Sequence, residues 1–214
     1  LIQLDTEGEV LGELDENLRD DLLEGMDPKE ISKAISDLEV DDLADILQQL
    51  PIQIAQEVLD AMDQQDRQRV EKILSYDEDT AGGLMNTDSI TVRRNHTVEL
   101  VLRYLRRHQT LPEMTDNILV VNRDDELLGI LPLKEVLVSD PNTSVRDVMR
   151  KDLSAIPVDM EAAEVANLFE QHDWVSAPVV DINGKLLGRI TIDDVVDVIR
   201  DTAEHSLLSM AGLD

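Results

Sequence analysis

Between residues 27 and 74, hydrophobic positions recur every three or four residues. Ile31, Ala34, Ile35 and Leu38 form one series, and Leu43, Ile46, Leu47 and Leu50 a second. Ile54, Val58 and Leu59 form a third, and Val70, Ile73 and Leu74 a fourth. A period of 3.6 predicts a helix for each. The breaks between them carry start signals. Asp27-Pro28 places a proline near a helix start with Asp27 as N-cap. Asp41 or Asp42 is expected to open the second helix, Pro51 the third, and the fourth to run from about Gln65. Short helices at near-constant spacing predict a helical solenoid over residues 1–76. No β-branched alternation interrupts this stretch.

The pattern changes at Tyr76. "YDEDTAGGLM" carries Gly82-Gly83, which reads as a flexible joint, with the linker at residues 77–83. It lacks the lysine and preceding strand of a phosphate loop. Beyond it lies an internal repeat. "VVNRDDELLGILPLKEVL" (120–137) aligns without a gap on "VVDINGKLLGRITIDDVV" (179–196). An amphipathic helix precedes each copy, through Val98, Leu102 and Leu105 in one and Ala163, Ala166 and Phe169 in the other. Each copy opens on a hydrophobic-Met pair, Leu84-Met85 and Val148-Met149. The pairs are offset by 64 residues and the aligned blocks by 59, so the first copy is five residues longer, in "HQTLPEMTDN". Each copy predicts strand, helix, strand, turn, strand, helix. The turns fall at Asp124-Asp125 and Gly184. The copies span 84–147 and 148–200, and residues 201–214 continue a final helix. The fold class is α+β, an all-α helical-repeat domain followed by this tandem pair.

Charge narrows the function. There are 19 basic and 47 acidic residues, a net charge of −28. Residues 1–76 carry −15 (6 against 21) and residues 77–214 carry −13 (13 against 26). Such a field repels nucleic acid and attracts cations. It reads either as solubility charge or as charge that divalent cations partly neutralise. With 2% aromatics, the core must be aliphatic. The absence of cysteine excludes disulfides and thiolate metal sites. No apolar run reaches the ~20 residues that span a bilayer, and no signal peptide is visible. The chain starts at Leu1 rather than Met, which reads as an excised piece. His96, His108, His172 and His205 are scattered and read as surface residues. No Ser-His-Asp set or catalytic acid pair stands out, so the reading is not an enzyme.

"ITIDDVVDVIRD" (190–201) holds four aspartates. Asp194, Asp197 and Asp201 share one helix face, where like charges repel. A preference for acids at helix starts accounts for Asp193 and Asp194 but not for Asp197 or Asp201. Mg²⁺ is the expected partner of Asp197, and Asp201 reads equally as a solvated residue. Mg²⁺ needs only one or two carboxylates per site. In "DDLADILQQL", Asp41 and Asp45 stand at i, i+4.

The twice-recurring "LLG" block followed by "ITIDDVV" or "LPLKEVL" resembles a pair of CBS domains. The order helical domain, "YDEDTAGGLM", CBS pair and acidic helix ending "LLSMAGLD" resembles the cytosolic part of MgtE-type magnesium channels. The resemblance implies an N-terminally truncated N domain at 1–76 and a connecting or plug helix from about Asp194. It implies that Mg²⁺ bridges acidic domain interfaces and gates a membrane pore domain of the same polypeptide. Asp41, Asp45, Asp173, Asp194 and Asp197 would be metal-bridging carboxylates, and Glu9 a further contributor. The family's later acidic cluster is reduced here to Asp201 and Glu204. A homodimer through the CBS domains, and residence at the cytoplasmic face of the cell membrane, are also implied. CBS modules often bind adenosine nucleotides through a Thr-x-x-Asp pattern, whose Asp meets the ribose. Thr191 and Asp194 match it, whereas the first copy has Pro132 and Glu135. Trp174 would stack on adenine, or else pack in the core, and Lys134 would pair with phosphate, making ATP the alternative ligand. The competing reading is an adenine-nucleotide sensor attached to another transporter or enzyme.

Overall fold

The computed structural model describes residues 26–36, 38–108, 110–152 and 154–211, with backbone only at 201 and 204–211. The chain divides into two compact units, Leu1–Asp77 and Glu78–Asp214.

The described part of the first unit is four helices, α1 (Pro28–Ala34), α2 (Val40–Gln49), α3 (Ile52–Ala61) and α4 (Gln64–Ile73). Asp27 caps α1 as expected. Its Oδ1 accepts the Lys29 and Glu30 amides at 2.9 and 3.0 Å, and its own N–H donates to Glu30 Oε2 at 3.1 Å. Such a reciprocal cap contributes about 1 kcal/mol. The opening of α2 differs from expectation. Glu39 is its N-cap, so Asp41 and Asp42 lie inside the first turn, where the helix dipole favours acids. Asp63 caps α4 through bonds to the Gln65 and Asp66 amides. Packing is between alternate helices, α1 on α3 and α2 on α4. The apolar stripes read from the sequence supply the buried side chains, with Ile31, Ile35, Ile46, Val58, Val70 and Ile73 inaccessible, while Leu38, Leu50, Ile54 and Leu74 are half-buried.

The second unit holds two three-stranded sheets. The first copy runs β1 (Thr91–Arg93), α5 (Val98–Arg107), β2 (Asn117–Val121), β3 (Leu127–Pro132), α6 (Leu133–Val138) and α7 (Val145–Val148). The second runs β4 (Ile156–Pro157), α8 (Ala162–His172), β5 (Ser176–Val180), β6 (Leu186–Thr191) and α9 (Ile192–Ala211). In each, the first strand pairs parallel to the second and the second antiparallel to the third. The repeat extends to register. Asn117 faces Pro132 as Ser176 faces Thr191, and both hairpins shift register after a valine, Val120 and Val179. Val98, Val101, Ile118, Val120, Leu131 and Val136 belong to one core cluster. Each such side chain contributes about 1.5–3 kcal/mol by burial. The last helix starts at Ile192, two residues before the expected Asp194.

The two copies exchange segments. Asn86, after the first hydrophobic-Met pair, forms a bridge with Arg189 of β6, through hydrogen bonds of 2.8 and 2.9 Å. Arg150, after the second pair, does the same with Ile130 of β3, at 2.7 and 2.9 Å. Each crossing strand passes a glycine, Gly188 and Gly129, where a Cβ would strike its backbone. The hairpin turns also meet. Leu127 N–H donates to Gly184 and Leu186 N–H to Asp125, and both acceptors have positive φ, 77° and 62°. Gly82-Gly83 is not a free joint. Ala81 and Gly82 donate to Met160 and Val158 at 2.8 and 2.9 Å, and all three residues 81–83 are buried.

The β5–β6 turn gives a pH test. Asp181 Oδ1 accepts the Asn183 and Lys185 amides at 2.8 Å. Asn122, its counterpart, accepts those of Asp124 and Glu126 at 2.9 Å. The Lys185 amide foremost holds the Asp181 carboxyl below its ordinary value, against an opposing effect of desolvation, with the Asn183 amide adding to the lowering. A carboxyl depressed in the folded state stabilises fully above its unfolded pKa, and loses that contribution as pH falls through the folded value. Asp181→Asn keeps the acceptor. It should therefore lose only the charge-dependent part of that contribution at neutral pH, and its deficit in melting temperature against wild type should narrow as pH falls below about 4.

Candidate functional site

The second copy gathers the nucleotide candidates at its seam with the first. β6 ends at buried Thr191, where α9 begins. Thr191 Oγ1 donates to Asp194 Oδ2 at 3.0 Å, and the Thr191 amide reaches the same oxygen at 3.4 Å. An acid at the third helical position reaching back to the preceding N–H is half of a capping box. Asp194 thus has a structural role whatever else it binds.

Opposite Thr191 in the sheet stands Ser176, whose Oγ donates to Asp116 Oδ1 at 2.5 Å. Asp116 Oδ2 accepts from Asn117 Nδ2 at 2.6 Å, and the Asp116 carbonyl accepts the Leu133 amide at 2.8 Å, just before Lys134. The Ile192 amide donates to Val175, next to Trp174, at 2.9 Å. Lys134, Trp174, Thr191 and Asp194 therefore lie within a few hydrogen-bonded positions of one another. The first copy has no such pair. Pro132 carries no hydroxyl, and Glu135 lies 3.8 Å from Arg150.

Trp174 is half-buried, edge-on to Phe169 at 5.6 Å and stacked on His172 at 4.8 Å and 16°. A purine must use the opposite face of the indole or displace the imidazole. His172 is exposed, as expected of a surface histidine, but it has this aromatic partner.

The metal candidates are dispersed in role. Asp41 is 6% exposed and its Oδ1 accepts the Asp42 amide, whereas Asp45, one turn on, is open to solvent. Asp173 is the C-cap of α8 at φ 51°, a left-handed position that Asp tolerates better than most residues. Asp197 is exposed and pairs with Arg200 at 2.9 Å, so its charge has a partner on its own helix. Such surface pairs contribute ~0–1 kcal/mol. Among the described residues no three carboxylates or imidazoles cluster as a metal site. Glu9 and the side chains of Asp201, Glu204 and His205 lie outside the described residues. No described helix is long and apolar enough to cross a membrane.

One residue at this seam escaped the sequence reading. Arg189, on β6, is 5% exposed. Its Nε donates to the Asp88 carbonyl and its Nη1 to that of Met114, both at 3.3 Å, and its Nη2 to that of Glu113. The repeat alignment held the signal, because Arg189 falls opposite Ile130, a charge against an aliphatic.

Comparison with known proteins follows the same division. Residues 1–79 match the MgtE intracellular N domain, and residues 81–140 and 145–201 each match the CBS domain. The magnesium transporter MgtE of Thermus thermophilus is 38% identical over 178 residues, covering 82% of this chain and 40% of that protein. Its Bacillus subtilis namesake is 25% identical over 204 residues, covering 95% and 45%. The chain thus spans less than half the length of these relatives. A crystal structure of the cytosolic domain of the Mg²⁺ channel MgtE in complex with ATP superposes with a TM-score of 0.84 at 37% identity, covering 89% of this chain and 78% of that one. A helical domain and a CBS pair in this order, at these identities, place the chain in the MgtE family, as its N domain followed by its two CBS domains.

Proposed function

We propose that this chain is the Mg²⁺-sensing regulatory region of a magnesium channel or transporter, working on the intracellular face of a membrane pore domain. The ordered match of both units to MgtE carries this reading. The charge supports it physically. Surfaces that together carry −28 repel one another, and at ~4 Å with an effective dielectric of ~20 each unit-charge pair amounts to ~4 kcal/mol before desolvation. A divalent ion between two carboxylates reverses that sign. Asp45, Asp173 and Asp197 are the exposed candidates, with Asp41 and Asp194 held nearer their own backbones. Compaction then favours a closed pore, and loss of Mg²⁺ an open one. A homodimer through the CBS domains is part of the proposal, supported by Leu137, Val138, Val196 and Ile199, apolar side chains left exposed on α6 and α9. A Mg²⁺ titration of the EDTA-treated chain, with Na⁺ as control, tests it.

A second ligand has its own support. The Thr191–Asp194 pair is linked through Val175, Ser176 and Asp116 to the chain neighbours of Trp174 and Lys134, and the similar structure is a complex with ATP. We infer that adenine nucleotide binds this seam, with Mg²⁺ offsetting the repulsion of its phosphates. ATP at ~100 times its Kd should raise stability by ~2.7 kcal/mol. Thr191→Ala should abolish that rise in melting temperature, and an undiminished rise would remove Thr191 from the site.

A further inference from the structure

The five residues by which the first copy exceeds the second fall in the loop before β2, and the structure ties the end of that loop to the other copy at two points. At one, Arg189 donates to the carbonyls of Glu113 and Met114. At the other, Ser176 Oγ donates to the Asp116 carboxylate. Between them Thr115 Oγ1 donates to Pro112, which folds the strap on itself. Arg189 and Thr191 are two apart on β6 and so project from the same face. Ile190, between them, faces the core at 0% exposure. The side chain that holds the strap and the hydroxyl of the Thr191–Asp194 pair therefore leave the same face of β6, two residues apart. The strap's far end is bonded to the partners that bring Lys134 and Trp174 close.

Burying a guanidinium is costly, and the bonds it donates to the Asp88, Glu113 and Met114 carbonyls offset part of that desolvation. An aliphatic residue fills the same position in the first copy, at Ile130. The difference between the copies coincides with the strap, which the first copy's longer loop lays against Arg189 and the second copy's shorter loop does not supply, and with the Thr-x-x-Asp pair, whose place in the first copy is taken by Pro132 and Glu135.

We propose that residues 112–116 form one wall of the nucleotide seam and that Arg189 is the positioning residue that fixes this wall. This rests on the nucleotide reading above. Strap and pocket are coupled through Arg189, so nucleotide binding tightens the strap and release of the strap weakens binding. The backbone bridge between Asn86 and Arg189 is independent of the side chain. Arg189→Gln therefore keeps the sheet while losing most of the carbonyl bonds.

The test is calorimetric titration of the complete chain with Mg²⁺-ATP, using wild type, Arg189→Gln, Arg189→Lys, Ser176→Ala and Thr191→Ala. Hydrogen exchange of residues 112–116 is followed with and without nucleotide. Val101→Ala, in the first core and away from the strap, serves as a destabilised control. The expected result is a loss of ATP affinity of tenfold or more in Arg189→Gln, partial recovery in Arg189→Lys, and an intermediate loss in Ser176→Ala. ATP should slow strap exchange in wild type but not in Arg189→Gln, and Val101→Ala should bind as wild type does. ATP affinity within twofold of wild type in Arg189→Gln overturns the proposal and leaves the nucleotide site standing. Equal losses in Val101→Ala and Arg189→Gln overturn it as well. If Arg189→Gln does not fold, wild-type affinity in both Arg189→Lys and Ser176→Ala overturns it. If wild type itself binds no ATP, the nucleotide reading fails and the wall with it.

Discussion

Gly188→Ala is expected to lower the melting temperature of the second unit by roughly 5–15 °C, read by calorimetry. An added Cβ would stand 2.5 Å from the Asn86 carbonyl oxygen and 3.2 Å from Met85 Sδ. The near atom is backbone, and that carbonyl accepts the Arg189 amide at 2.9 Å. Relief therefore requires opening the bridge that inserts the first copy's crossing strand into the second copy's sheet. Overpacking costs about 1–3 kcal/mol and a lost hydrogen bond about 1. The sum, ~2–4 kcal/mol, corresponds to the stated shift. Gly129→Ala should behave alike, since Arg150 and Met149 crowd it in the same way. An unchanged melting temperature in both variants would mean that the crossing strands do not hold the copies together.

Phe169→Ala should destabilise the second copy by about 3–5 kcal/mol, the usual cost of emptying a buried phenyl site. Phe169 is the chain's only phenylalanine and is 1% exposed in α8. It also supports Trp174 edge-on. Its removal should therefore redden the emission of the chain's single tryptophan and weaken ATP binding, by freeing the indole from its fixed plane. A stable variant with wild-type emission would show that Trp174 takes its position from His172 alone.

The repeat was legible because it is a pattern of burial. Val120 and Val179, or Gly129 and Gly188, meet the same environment and so have the same chemistry. The helices of the first unit were legible for a similar reason, since a 3.6 period states which face is buried. The exchange of crossing strands was not legible. Leu84-Met85 and Val148-Met149 announce a buried pair without saying which copy buries it. Gly82-Gly83 read as a joint because two glycines signal local freedom, whereas the hydrogen-bond partners of Ala81 and Gly82, Met160 and Val158, lie far along the chain. Asp194 read as a ligand position, and the structure adds a capping bond that any acid at a third helical position can make. Arg189 was visible only as a mismatch between the copies. A charge opposite Ile130 announces a buried cation but not its three carbonyl partners.

The most direct test of the central claim is the radius of gyration of the EDTA-treated chain across a Mg²⁺ titration at fixed ionic strength. Melting temperature is followed in parallel. At free Mg²⁺ near 100 times its Kd the compact form should gain ~2.7 kcal/mol. The account predicts a smaller radius and a higher melting temperature with Mg²⁺, and neither with Na⁺ at the same ionic strength. A radius and melting temperature that respond identically to Mg²⁺ and Na⁺ would contradict it.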